Sequence, residues 1–220
     1  MIPSEFEYHR PSDIQSVLQL LQSHGDEARV LAGGHSLVPA MKMRLTGLSH
    51  LIDLQDIGDL KGISIGSDDV TIGAMTTQHD VITDDALART IPIIREAATQ
   101  IADPQVRYVG TVGGNIANGD PANDMPGLMQ CLGARFELIG PGGTRVVPAG
   151  AYYHSAYVTE RADDEVLTRI AIPKPAAGMG YAYEKQKRKI GDYATAAAAV
   201  LVGNGKASIA MTNLADRPFW

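Results

Sequence analysis

Thr111–Pro126 reads TVGGNIANGDPANDMP, and the character of the whole chain turns on this stretch. Adjacent glycines, Gly113 and Gly114, lie between β-branched Val112 and the amide of Asn115. Two carboxylates follow, Asp120 and Asp124, each beside asparagine or proline. Residues without a Cβ let the backbone come close to a ligand and reach φ > 0 at little cost. Successive N–H groups exposed in that way form an anion-binding concavity. The stretch therefore predicts a phosphate-bearing ligand held by main-chain amides. A tight turn with no ligand draws on the same residue types and is the plain alternative.

A second glycine pair, Gly33-Gly34, stands upstream and runs directly into His35-Ser36. Each pair follows an extended segment and carries hydrogen-bonding residues next to it, so two loops could grip the two ends of one diphosphate. The chain contains neither G-x-G-x-x-G nor G-x-x-x-x-G-K-[ST], which argues against a Rossmann or P-loop site. Gly34-His35-Ser36-Leu37-Val38 also has the layout of a hydrolase nucleophile elbow, but Val38 replaces the closing glycine and Pro39 follows. Serine hydrolysis at Ser36 is the rival reading from a different class.

Around these motifs the periodicity alternates between strand and helix. Phe6 and Tyr8 suggest a first strand. Ser12 is a candidate cap for a helix carrying Ile14, Val17, Leu18 and Leu21, which Gly25 ends. Ala28–Ala32 reads as a buried strand, Leu37–Leu45 as a short helix, and Leu51–Leu54 as another strand. Gly62–Ile65 and Val70–Gly73 form a predicted hairpin. Short helical turns follow at Thr77–Val81 and Ala86–Ala88, then a helix at Ile91–Ile101 with Pro92 in its first turn. Arg107–Val109 leads into the glycine stretch, and Met125–Leu132 is a short helix. Arg135–Ile139 and Arg145–Val147 flank the turn Pro141-Gly142-Gly143. Glu165–Ile172 is a strand that Pro173 stops. Pro173–Gly180 marks a boundary, after which Tyr181–Lys187, Thr195–Val202 and Ala207–Thr212 suggest one antiparallel sheet. No covering helix follows that sheet, so apolar surface is expected near Ala196–Val202.

The totals narrow the function. The chain has 220 residues, enough for one large domain or two small ones. A net charge of −6 argues against general nucleic-acid binding. One cysteine, Cys131, cannot by itself build a disulfide, an iron–sulfur cluster or a four-cysteine zinc site. There is no apolar run of ~18 residues and no signal-peptide pattern, so a cytoplasmic location is expected. Asp120 and Asp124 suit a hard cation. They lack a third carboxylate nearby, so turn or hydroxyl-binding roles are favoured, and no metal motif is read. Lys185, Lys187, Arg188 and Lys189 form a basic cluster, read as a solvated strand edge or a contact for phosphates or an acidic partner. Tyr193 is either a core aromatic or a ring that stacks on a flat ligand.

Ala32–Leu37 with Pro39, Met41-Lys42 and Arg44-Leu45 resembles the FAD-binding medium subunits of molybdenum hydroxylases. Thr111–Asn115, Gly119-Asp120-Pro121, Asn123-Asp124 and Pro126 resemble the second motif of that family. The opening MIP…FEYHRP, IGAMTTQH (Ile72–His79), IADPQVRYVGT (Ile101–Thr111) and YEKQKRKIGDYATAAAAV (Tyr183–Val200) are most similar to its aerobic carbon monoxide dehydrogenase branch. Other members serve xanthine, nicotinate or aromatic substrates, and a different polypeptide chooses the substrate.

The resemblance implies an α+β, PCMH/vanillyl-alcohol-oxidase-like FAD-binding fold over residues 1–175, with subdomains of about 1–55 and 56–175. The start of a C-terminal sheet domain would follow at 179–220, shorter than in the family. FAD would be held by Ala32, Gly33, Gly34, His35 and Ser36 and by Thr111, Val112, Gly113, Gly114 and Asn115. Asp124 would be the acidic flavin ligand, Leu167 and Lys185 would add contacts, and Tyr193 would lie near the isoalloxazine ring. No catalytic residue for substrate oxidation is implied on this chain. The molybdenum cofactor would sit on a large partner subunit and [2Fe–2S] clusters on a small one. The assembly would be a dimer of heterotrimers, with no nucleic acid and at most peripheral membrane contact. The subunit would pass electrons from the clusters through FAD to an acceptor such as a quinone. A flavin-free scaffold subunit is the third reading.

Overall fold

Three sheets organise residues 2–220, the part of the chain that the computed structural model describes. In the first, β1 (Glu7–His9) leads into α1 (Ile14–His24), β2 (Ala28–Leu31), α2 (Leu37–Lys42) and β3 (His50–Asp53). Its strands are parallel in the order β1-β3-β2. Parallel neighbours need a crossover, which α2 provides between β2 and β3, while α1 carries the chain from β1 past the central strand to β2. Val17, Leu18 and Leu21 of α1 pack on Ala28 and Ile52. The cap of α1 is Asp13 rather than Ser12: its Oδ1 accepts the Ser16 N–H at 2.8 Å. A carboxylate at the N-cap also suits the positive end of the helix dipole. Gly25 ends this helix at φ +49 and ψ −128, a positive-φ backbone that glycine adopts without strain.

The second unit begins with the hairpin β4 (Ile63–Ile65) and β5 (Asp69–Gly73). Six helices follow: α3 (Gln78–Thr83), α4 (Asp85–Thr90), α5 (Pro92–Thr99), α6 (Pro104–Val109), α7 (Val112–Asn118) and α8 (Asp124–Cys131). Then come β6 (Arg135–Gly140), β7 (Gly143–Pro148), the small pair β8 (Tyr153–Ser155) and β9 (Val158–Thr159), and β10 (Val166–Pro173). The five-stranded antiparallel sheet has the order β4-β5-β10-β6-β7. Phe136, Leu138, Ile170, Ile172, Val70 and Ile72 are buried from this sheet in a core shared with Ile93, Ile94, Ile116 and Leu128. Burying each such side chain stabilises the fold by roughly 1.5–3 kcal/mol.

Two expectations for this region change. Arg107–Val109 is the last turn of α6, which begins at Pro104 with Asp103 as its cap; Asp103 Oδ1 accepts the Val106 N–H at 3.0 Å. The glycine stretch itself is helical. Gly113 and Gly114 lie inside α7, capped by Thr111, whose Oγ1 accepts the Gly114 N–H at 3.0 Å. Neither glycine has a positive φ. Both are there for packing rather than for a turn.

The third sheet is antiparallel, β11 (Gly180–Gln186), β12 (Ala196–Gly203) and β13 (Lys206–Thr212). Asn204 and Gly205, both at positive φ, turn β12 into β13. This sheet does have a cover on one face. Tyr183, Ala197, Ala199, Leu201 and Ala210 join the main core, and every residue of α8 is buried beneath them. Gly127 allows the approach: a Cβ there would lie 2.2 Å from Thr212 Oγ1. The expected apolar exposure is confined to the opposite face, where Val202 and Ile209 are about half exposed.

Candidate functional site

One cavity of about 440 Å³ lies where the three sheets meet. Its size suits a small-molecule or cofactor site. The loop after β2 lines it with Ala32, Gly33, Gly34, His35 and Ser36. The start of α7 adds Thr111, Gly113, Gly114 and Asn115. Asp124 reaches it from α8, Leu167 from β10, Lys185 from β11 and Tyr193 from the loop before β12. Among the residues expected to hold FAD, Val112 alone turns away; it is 1% exposed in the core, and its N–H donates to Thr76 O at 2.9 Å.

The glycines explain how the two motifs meet. A Cβ on Gly33 would lie 2.3 Å from Val109 O and 2.7 Å from Gly110 Cα. One on Gly113 would lie 2.5 Å from Ala74 Cβ, and one on Gly114 would lie 2.8 Å from Thr111 Oγ1. Of these four glycines only Gly34, at φ +72, uses the left-handed region.

The amide donors divide unequally. In the second motif they are spent inside the protein: Gly113 N–H donates to Ala74 O at 2.9 Å, and Asn115 N–H to Thr111 O at 3.1 Å. In the first motif, the N–H groups of Gly33 to Leu37 find no acceptor among the described residues. The concavity of free amides belongs to the first loop, at the carboxyl end of a parallel strand, where ligands of such sheets gather.

Asp124 is 3% exposed, and its Oδ2 accepts from Lys185 Nζ at 2.8 Å. The Tyr183 hydroxyl donates to its Oδ1. Lys185, with a side chain 1% exposed, also donates to Gln100 O at 3.2 Å. Burial, and then the Asp124 charge, push the Tyr183 hydroxyl far above its ordinary value, so it stays a donor. The basic cluster is therefore split. Lys185 shares the inward face of β11 with Tyr183, while Arg188 points outward and pairs with Asp192 at 3.2 Å. Asp120 is a turn element, its Oδ1 accepting the Ala122 N–H at 2.9 Å. Tyr193 is 59% exposed at the cavity wall and is not a core aromatic.

Two features escape sequence reading. Leu167 sits at a β-bulge in the β10–β6 ladder, and bulges re-aim side chains beside sites. Gln78, the first residue of α3, is 2% exposed and lines the cavity with neither amide atom partnered. Asn115 Oδ1 is likewise buried without a partner. Gln78 falls within the Ile72–His79 stretch that carried the family resemblance, but nothing in its pattern marks it. An unpaired buried amide costs about 1–3 kcal/mol, which a ligand's polar groups would offset. Ser36 stands at the N-cap of α2 and makes no hydrogen bond to a histidine among the described residues, so the hydrolase reading lacks its base.

A mostly apolar cavity between α+β units, with one run of free amide donors, is the architecture of a cofactor-binding protein. The chain belongs to the family of FAD-binding domains of molybdopterin dehydrogenases, which matches residues 4–175. It is 60% identical to the carbon monoxide dehydrogenase medium chain of Afipia carboxidovorans, across 100% of this chain and 78% of that one. It is 46% identical to the carbon monoxide dehydrogenase medium chain of Hydrogenophaga pseudoflava, across 98% of this chain and 77% of that one. The structure of reconstituted CO dehydrogenase from Oligotropha carboxidovorans superposes with a TM-score of 0.97 at 60% identity, covering 100% of this chain and 79% of that one.

Proposed function

We propose that the cavity holds FAD and that this chain is the electron-transfer subunit of a molybdenum hydroxylase that oxidises carbon monoxide. The observation that carries this reading is the row of free N–H groups from Gly33 to Leu37, facing one cavity with the unpartnered Gln78 and Asn115 side chains. These residues fit FAD: the amide row suits its diphosphate, and the side-chain amides suit its ring or ribose polar groups. Bound FAD would supply one- and two-electron chemistry, linking [2Fe–2S] clusters on a small partner subunit to an acceptor such as a quinone.

The chain's own residues bind and orient. Ala32–Ser36 supply donors, and Thr111–Asn115 back that loop and set its position, Val112 through the core. Asp124 fixes the Lys185 ammonium at the wall, which places a positive charge where an electron-rich ring gains stability. Leu167 excludes water from one side, and Tyr193 offers an aromatic face at the mouth. In this reading residues 1–175 form the FAD-binding domain, with subdomains of about 1–55 and 56–175, and 179–220 begins a separate sheet domain. A large molybdenum subunit and a small iron–sulfur subunit complete a dimer of heterotrimers in the cytoplasm. No helix among the described residues is long and apolar enough to cross a membrane.

The test is a visible spectrum of the purified chain, incubated with FAD and desalted. The expected result is flavin bands that stay with the protein, near one per chain. Flavin absent here, and absent again after co-expression with molybdenum and iron–sulfur subunits, would leave the scaffold reading in front. Gln78→Met sharpens the test. It is expected to weaken FAD binding roughly 10-fold, by removing a hydrogen-bonding side chain, while leaving the apoprotein no less stable. Fluorescence titration and urea unfolding measure the two effects. Equal loss in both would mean Gln78 serves packing only.

A further inference from the structure

We propose that His9, His24 and His50, with Glu7, form a binding site for a divalent late transition-metal ion, zinc being the reference ion. The three imidazoles each offer a ring nitrogen, and these atoms lie within 4.8 Å of one another. Register places them together. Glu7 pairs with His50 across β1 and β3, and His9 follows Glu7 by two residues, so all three project from one face of the parallel sheet. His24 ends α1, which packs on that face, and its ring stacks on that of His50 with centroids 3.6 Å apart. None of these four residues lines the cavity.

The geometry favours a metal over a chance cluster. His9 Nε2 and His50 Nδ1 are 3.1 Å apart. Two imidazole nitrogens at tetrahedral zinc, with Zn–N near 2.0–2.1 Å, stand about 3.3 Å apart. Glu7 Oε2 lies 3.4 Å from His50 Nδ1 and 3.9 Å from His9 Nε2, aimed at the same point. The His24 nitrogen, within 4.8 Å of the other two, would complete the set once its ring turns out of its stack on His50. Three imidazoles and one carboxylate are a donor set for zinc and its neighbours, not for magnesium or calcium. The C-terminal end of α1 adds a favourable partial negative charge beside the ion. The bound ion would tie β1, β3 and the end of α1 together.

Zinc chloride titrated into the purified full chain by calorimetry tests this. We expect one equivalent to bind, with a rise in unfolding temperature that follows the zinc concentration. His24→Ala is chosen because it leaves the sheet intact, and it is expected to weaken binding at least ~100-fold, beyond the range seen for loss of an outer partner. His50→Ala should do the same, and His154→Ala, outside the cluster, should change nothing. Flavin content, read in the same samples, reports folding independently of the metal. Absence of saturable binding in the unaltered chain, or binding that His24→Ala leaves unchanged, overturns the proposal. If His50→Ala unfolds the chain, His24→Ala still decides.

Discussion

Gly33→Ala should cost the chain its flavin, with affinity falling roughly 100-fold or more. The new Cβ would stand 2.3 Å from Val109 O and 3.0 Å from Val109 C, both backbone atoms that cannot rotate away. Relief requires the loop after β2 to part from the turn between α6 and α7. Overpacking of this kind costs about 1–3 kcal/mol or more, and about 2.8 kcal/mol corresponds to 100-fold in affinity. The free amides of Gly33 to Leu37 would lose their register with Asn115 and Gln78, so the loss should fall on binding more than on folding. Gly47→Ala is the matched control, since a Cβ there meets nothing within 4 Å. Flavin content after desalting and a fluorescence titration give the answer. Wild-type affinity in Gly33→Ala would show that the close approach of the two loops does not shape the site.

The second large effect concerns the buried ion pair. Lys185→Met should destabilise the chain by about 3–5 kcal/mol, because it leaves the Asp124 carboxylate buried without its cation. Asp124→Asn should cost a similar amount by stranding Lys185. The pair stitches β11 to α8, and through Gln100 O to the end of α5, so the damage should include loosening of the third sheet. A triple change, Lys185→Met with Asp124→Leu and Tyr183→Phe, removes the three polar side chains of this network together and should recover most of the loss. Urea unfolding midpoints, with β-sheet circular dichroism, measure this. A single-variant loss below about 1 kcal/mol would mean that water reaches the pair despite its burial.

Much of the architecture can be read without coordinates. Hairpins at Ser67-Asp68, Pro141–Gly143 and Gly203–Gly205 follow from turn chemistry, and α5 follows from Pro92 and the spacing of Ile93, Ile94, Ala97 and Ala98. The α7 stretch is harder to read, because paired glycines look the same whether they permit a turn or permit contact. α6 is hidden by its shortness, and Gly110 after it resembles the start of a loop. Of the residues singled out for the site, Ala32–Ser36, Thr111, Gly113–Asn115, Asp124, Leu167, Lys185 and Tyr193 share one cavity wall.

Local chemistry in the chain was therefore enough to set most of the strands, the hairpin turns and the places of the two glycine motifs, since each depends on neighbours a few residues away. Folding assigned the rest. It spent the amides of the second motif and left those of the first free, buried Lys185 against Asp124, and left Gln78 unpartnered at the cavity. It also gathered His9, His24 and His50 from three separate elements. Those outcomes depend on which distant backbones come within hydrogen-bonding or van der Waals reach. Such distances are set by packing across the sheets, and no local pattern in the sequence encodes them.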